Sequence, residues 1–109
     1  MSNDRLTRTE LRSLLRGGGR RIHGACFSLI VTPLPGSALS KFTCAVSTKV
    51  ARKAVERNRI KRLCREAVRK TLGEVKRPLA LAFYAKRETT KASYADVARD
   101  IETLISKLT

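Results

Sequence analysis

Between Lys53 and Lys70 the chain reads KAVERNRIKRLCREAVRK, and two periodicities are superposed on it. Turned by about 100° per residue, Ile60, Leu63, Cys64, Ala67, Val68, Thr71 and Leu72 fall on one side, the i, i+3, i+4, i+7 spacing of a buried helix face. Asn58, Arg62, Arg65 and Arg69 line up almost opposite. One face of this helix therefore needs a core to rest on, and the other is cationic along its length. From Lys49 to Lys70 ten Lys or Arg meet only Glu56 and Glu66. Ordinary surface helices mix signs to gain i, i+4 pairs, so the stripe reads as a binding face and not as a merely solvated one.

The start of the helix is as unusual. Lys49, Arg52 and Lys53 crowd an N-terminus where the helix dipole is already positive, an arrangement that is unfavourable until an anion docks there. Asn58 is a mediocre helix former, and its place in the segment is better explained by an amide that reaches RNA or caps the helix than by propensity.

Composition points the same way. In 109 residues, 24 Lys and Arg against 9 Asp and Glu leave a formal net charge of +15, which opposes compactness unless a polyanion is the partner. The length suits a single RNA-binding domain over residues 1–109, with 1–5 expected to be flexible. No apolar run approaches the roughly 20 residues of a spanning helix, and MSNDRLTRTELRSLL lacks the apolar core of a signal peptide, so no membrane and a cytoplasmic location are expected. Cys26, Cys44 and Cys64 follow no disulfide framework and are read as reduced packing residues.

Along the chain, Thr7 and Glu10 form a capping box opening a short amphipathic helix that Gly17 to Gly19 should end. RRIHGACFSLIVT is read as one strand, with Phe27, Leu29 and Val31 at period two, and PLPGS as the loop after it. KFTCAVS is a second strand, followed by the basic helix. LALAFYA, Leu79 to Ala85, is apolar throughout and reads as a central strand. KRETTKAS reads as a plain loop. Ser93 and Asp96 cap a last helix with a stripe of Val97, Ile101, Leu104, Ile105 and Leu108. The order is helix, strand, strand, helix, strand, helix, an α+β domain with helices on one small sheet.

Competing functional classes fare less well. Asn58, Cys64 and Arg65 reproduce a spacing found in basic-region zipper proteins. Lys61 and Arg62, however, stand where small residues would let a helix enter the major groove, and no leucine heptads follow. A stand-alone nuclease would need clustered carboxylates or a proton-shuttling histidine. The nine acids are scattered, and His23, the one histidine, begins no complete zinc motif with Cys26 and reads as a surface strand residue. No catalytic or metal-ligating residue is assigned. A generic basic ribosomal or other RNA-binding protein without a processing role remains the alternative.

VSTKVARKAVERNRIKRLCREAV, Val46 to Val68, resembles the signature of the bacterial ribonuclease P protein subunit, with Arg57, Asn58, Arg59, Lys61, Arg62, Arg65 and Glu66 at its centre. The resemblance implies a ribosomal protein S5 domain 2-like fold with a central mixed sheet and a left-handed βαβ crossover, against the usual right-handed rule. It implies a protein subunit of a ribonucleoprotein endonuclease that removes the 5′ leader of precursor tRNA. By the same resemblance the RNA subunit is expected to carry the hydrolysis and, together with the substrate, to bind most of the magnesium. The protein is expected to bind the catalytic RNA as a monomer in a 1:1 complex, through Lys49, Arg52, Lys53, Arg57, Asn58, Arg59, Lys61, Arg62, Arg65 and Arg69. The leader is expected in a cleft involving Leu11, Leu15, Phe27, Lys86 and Arg87. Leu11 and Leu15 stand where family members often carry phenylalanine, which leaves either Phe27 alone to stack on bases or a leader held chiefly through phosphates. Both leucines also read simply as core. Thr48 replaces the first lysine of a usual pair, so Lys49 acts alone.

Overall fold

In the computed structural model of the chain, which describes residues 6–16, 19–33, 40–75 and 78–108, the first expected capping box forms. The Thr7 N–H donates to Glu10 Oε1 at 3.0 Å and the Glu10 N–H to Thr7 Oγ1 at 3.2 Å, opening α1 (Arg8–Arg16). The glycine stop and the PLPGS loop fall largely outside the described residues.

The segment read as one strand is a hairpin: β1 (Arg20–His23) and β2 (Phe27–Pro33) pair antiparallel, with Arg20 opposite Val31 and His23 opposite Ser28. The turn is held from outside. Asp100, buried on the last helix, accepts the N–H groups of Ala25 at 2.8 Å and of Cys26 and Phe27 at 3.0 Å, while the Gly24 N–H donates to the Phe27 carbonyl. A Cβ at Gly24 would lie 2.6 Å from Asp100 Oδ1, so glycine is what allows the carboxylate this close. The partner of the turn comes from a helix about 75 residues downstream, which is why a period-two reading ran through it.

β3 (Lys41–Ala45), α2 (Ala54–Thr71) and β4 (Leu79–Ala85) follow as expected, and a short 3₁₀ turn, Leu72–Glu74, extends α2. The sheet runs β1-β2-β4-β3. It is antiparallel except for the β3–β4 pair, whose parallel strands α2 connects as a crossover. Instead of a plain loop, Arg87–Lys91 forms a 3₁₀ turn whose buried Thr89 donates its hydroxyl to the Lys86 carbonyl at 2.7 Å. The second capping box opens α3 (Tyr94–Ser106): Ser93 Oγ accepts from the Asp96 N–H and Asp96 Oδ2 from the Ser93 N–H.

Helices α2 and α3 cover one face of the sheet. Ile60, Cys64, Ala67 and Val68 of α2 and Val97, Ile101, Leu104 and Ile105 of α3 pack there with Phe27, Leu29, Leu81 and Phe83. Leu63 and Leu72, read as part of the same stripe, are only half-buried, as is Leu108. On the opposite face Leu6 packs with Ile30, Ala80 and Ala82, joined by Leu11 and Tyr84. β4 is therefore apolar at successive positions because both its faces are covered, with large residues toward the helices and alanines toward α1.

The three-thiol expectation fails for two cysteines. Cys44 of β3 and Cys64 of α2 are bonded as a disulfide, with Cα atoms 6.5 Å apart, a separation that suits a bridge. Only Cys26 is free, and it is buried.

Candidate nucleic-acid interface

The stripe is where the periodicity puts it. Asn58, Arg62, Arg65 and Arg69 are all exposed on α2, and Lys61 is half-buried beside them. Among the described residues Lys61, Arg62 and Arg65 have no carboxylate partner, whereas Lys41 is paired with Glu10 at 3.0 Å. That pair and the Thr7 N–H bond hold the Glu10 carboxyl below its ordinary range, the bond to the Thr7 backbone being the larger cause.

Two arginines of the Arg-Asn-Arg run turn to the protein instead. Arg57 Nη1 donates to the carbonyls of Ala51 at 3.0 Å and Arg52 at 2.7 Å, closing the loop that leads into α2. Arg59 Nη2 donates to the Ala92 carbonyl at 3.1 Å, just ahead of α3. Each has further guanidinium N–H groups to offer a ligand. The N-cap of α2 is Lys53, with extended backbone and no side-chain hydrogen bond, so Asn58 does not serve as the cap. Lys49, Arg52 and Lys53 are exposed around this end. Among the described residues, the first turn of this 18-residue helix has no side-chain cap at its N-cap and is ringed by three cations, which is the electrostatic form of a phosphate site.

A groove of about 450 Å³ runs between α1, β3 and α2. Leu6, Thr7 and Leu11 form one wall, Phe42, Thr43 and Cys44 the floor, and Asn58, Lys61, Arg65 and Arg69 the other wall. The structure therefore brings Leu11, assigned to the leader cleft, together with four residues assigned to the catalytic RNA.

The other cleft assignments are scattered. Phe27 has no exposed surface. It lies beneath α2 and α3, edge-on to Phe83 with ring centroids 6.4 Å apart, on the face away from α1, and it cannot stack on a base. Its own period-two partners, Leu29 and Val31, carried the signal that this parity faces the core. Tyr84 is the aromatic on the α1 side, half-buried with Leu11 near Ile30 and Ala82, and strand parity on β4 could have found it. Lys86 Nζ is bound to the Gly24 carbonyl at 2.6 Å, at the hairpin turn, and Arg87 is exposed next to it. Leu15 belongs to α1, but its side chain lies outside the described residues.

His23 is exposed on β1 and shares a hydrogen bond with Ser28 Oγ at 3.1 Å. Among the described residues no group of three His, Cys, Asp or Glu could hold a metal ion, and no helix is long and apolar enough to cross a membrane.

Comparison with known proteins agrees with this geometry. The Ribonuclease P family profile matches residues 2–109. The ribonuclease P protein component of Thioalkalivibrio sulfidiphilus is 43% identical over 65 residues, 60% of this chain and 53% of that protein, so this alignment spans about half of the relative. The component from Microcystis aeruginosa is 31% identical over 96 residues, covering 84% of this chain and 78% of the relative. In fold, the Thermotoga maritima RNase P protein superposes with a TM-score of 0.83 at 19% identity over 98% of this chain and 99% of that one. The Staphylococcus aureus RNase P protein gives 0.82 at 17% identity over 97% and 95%. A cationic crossover helix, a mixed four-stranded sheet and a family match across almost every residue converge: the chain belongs to the ribonuclease P protein family.

Proposed function

We propose that this chain is the cytoplasmic protein subunit of ribonuclease P. It binds the catalytic RNA through α2 and assists removal of the 5′ leader from precursor tRNA. The observation that carries the reading is the exposed cation face of α2, on which Lys61, Arg62 and Arg65 have no carboxylate partner among the described residues, together with its cation-ringed N-terminus, whose N-cap Lys53 makes no side-chain cap hydrogen bond. Free, this surface repels itself; with phosphates along Arg62 and Arg65 and at the helix start, the same charges become favourable.

The leader is assigned to the α1 side of the sheet, beside Leu11 and Tyr84, with phosphates reaching the cations of the groove. Hydrolysis is assigned to the RNA subunit. Magnesium, when bound, would supply charge neutralisation and water activation there; the scattered carboxylates of the described residues do not fit a metal site in the protein. The protein's own residues bind and orient, as a monomer in a 1:1 complex.

Reconstitution with a bacterial ribonuclease P RNA tests the reading. At low magnesium the protein should stimulate leader removal, and the Arg62→Ala, Arg65→Ala double variant should lose most of that stimulation while folding normally. Protein alone should leave precursor tRNA intact. Tight binding to many RNAs with no stimulation would favour a generic basic RNA-binding protein instead.

A further inference from the structure

The Cys44–Cys64 pair sits at the floor of the cationic groove. Cys44 is half-buried on β3 and lines the groove, whereas Cys64 has no exposed surface. Lys61 and Arg65, at i−3 and i+1 from Cys64 along α2, line the same groove as Cys44. Cys26 lies apart, near the hairpin turn, and burial pushes its thiol up, with Asp100 adding to the effect.

We propose that Cys44 and Cys64 form a reversible dithiol–disulfide site entered at Cys44 through the cationic groove, and that its oxidant is a small anionic disulfide of the glutathione class. Entry has to be at Cys44, because Cys64 cannot meet a molecule from solvent. The thiolate of Cys44 attacks one sulfur of glutathione disulfide, the oxidant's S–S bond breaks, and one glutathione leaves as thiolate and is protonated by solvent. The thiol of Cys64 then attacks the Cys44 sulfur of the mixed disulfide and expels the second glutathione, whose departing sulfur carries away the Cys64 proton. Two protein thiols give up two electrons and two protons, and glutathione disulfide takes them up as two thiols.

Charge selects the oxidant. Glutathione disulfide is a net anion at neutral pH, so the cations over Cys44 raise its local concentration, as they would that of any polyanion. The closed bridge fixes the middle of α2 to the strand beneath it and so fixes the spacing of Lys61 and Arg65 from β3. The link to the proposed function is that RNA over the groove would shield Cys44. The oxidation itself requires no RNA, so its success or failure is independent of that reading.

The test follows oxidation of the fully reduced, intact protein by quenched alkylation and mass spectrometry, comparing glutathione disulfide with cystamine, a cationic disulfide. The expected product has lost two hydrogens and maps to Cys44–Cys64 with Cys26 still alkylated. At low salt glutathione disulfide should outpace its intrinsic advantage on a free small thiol by roughly tenfold, and near 1 M salt, where the Debye length is about 3 Å, that margin should vanish. Cys64→Ser should stop at a mixed disulfide on Cys44, and Cys44→Ser should leave position 64 unmodified. A ratio of glutathione disulfide to cystamine rates at low salt no higher than on the free small thiol, a bridge that includes Cys26, or three persistent thiols would overturn the proposal. The charge comparison uses unmodified protein and survives misfolding of either variant.

Discussion

The stripe of α2 makes a quantitative demand on binding to ribonuclease P RNA. Lys49, Arg52, Lys53, Lys61, Arg62 and Arg65 surround the exposed side and N-terminus of the helix with no carboxylate partner among the described residues. If each neutralises one phosphate, log affinity should fall against log salt with a slope of about 4 to 5, from 0.7 to 0.9 per phosphate. Between 50 and 200 mM salt, a fourfold change, affinity should then drop by roughly three hundred to two thousand. The double variant Arg62→Ala, Arg65→Ala removes two of the six, so its slope should be shallower by about 1.4 to 1.8. Equilibrium binding over a salt series at fixed magnesium reads this directly, with a thermal melt as the folding control. A double variant that binds more weakly but keeps the full slope would refute the argument. Such a result would mean that the two arginines act through the fold and that other cations hold the phosphates.

Three further outcomes separate the two faces of the sheet and the role of the turn. Phe27→Ala should destabilise the protein by about 3 to 5 kcal/mol in a denaturant melt, as for any large core aromatic. Tyr84→Ala should spare the fold and reduce the preference for precursor over mature tRNA, and an equal loss on both would take the leader off the α1 face. Asp100→Ala leaves three turn N–H groups without their acceptor and should cost roughly 2 to 4 kcal/mol, with Asp100→Asn recovering part; an unchanged melt would mean the turn holds itself. The Glu10 carboxyl is lowered chiefly by the Thr7 backbone and then by Lys41, and the Asp96 carboxyl by the Ser93 backbone and then its hydroxyl. Both contributions are present above the ordinary carboxylate range and are lost as pH falls through the lowered folded values. Melts should therefore show loss beginning below about pH 4, and Asp96→Asn, which removes the titrating carboxyl, should flatten the Asp96 share of that acid limb.

What the sequence made legible was whatever is decided within a few turns of chain. Both capping boxes, the two faces of α2, the apolar β4 and the α3 stripe rest on spacings of three, four or two residues, and each forms, with Leu63, Leu72 and Leu108 half-buried at the margins of their stripes. The failures share a cause of the opposite kind. The hairpin at Gly24 depends on Asp100, and the bridge on a strand and a helix meeting. Neither of these is a local property. Phe27 is the instructive error, because the local signal was correct and a functional expectation displaced it: its alternation with Leu29 and Val31 already put it inside.

The same distinction explains how one helix can be both core and the proposed binding face. Every cation of α2 is within a few residues of an apolar contact, so the core fixes the stripe's direction, and the stripe needs no partner in order to be arranged. Arg57 adds to this from the charged side, since its Nη1 donates to both the Ala51 and the Arg52 carbonyls and holds the loop that carries Lys49 and Arg52 against the start of the helix. Mutual repulsion among these cations is accepted in the free protein and offset by the apolar face behind them. A phosphate chain that arrives finds the backbone positions of the cations already fixed, and only their exposed side chains remain to be ordered. Placement of charge in advance of a polyanionic partner is what a small domain of +15 net charge is suited to provide.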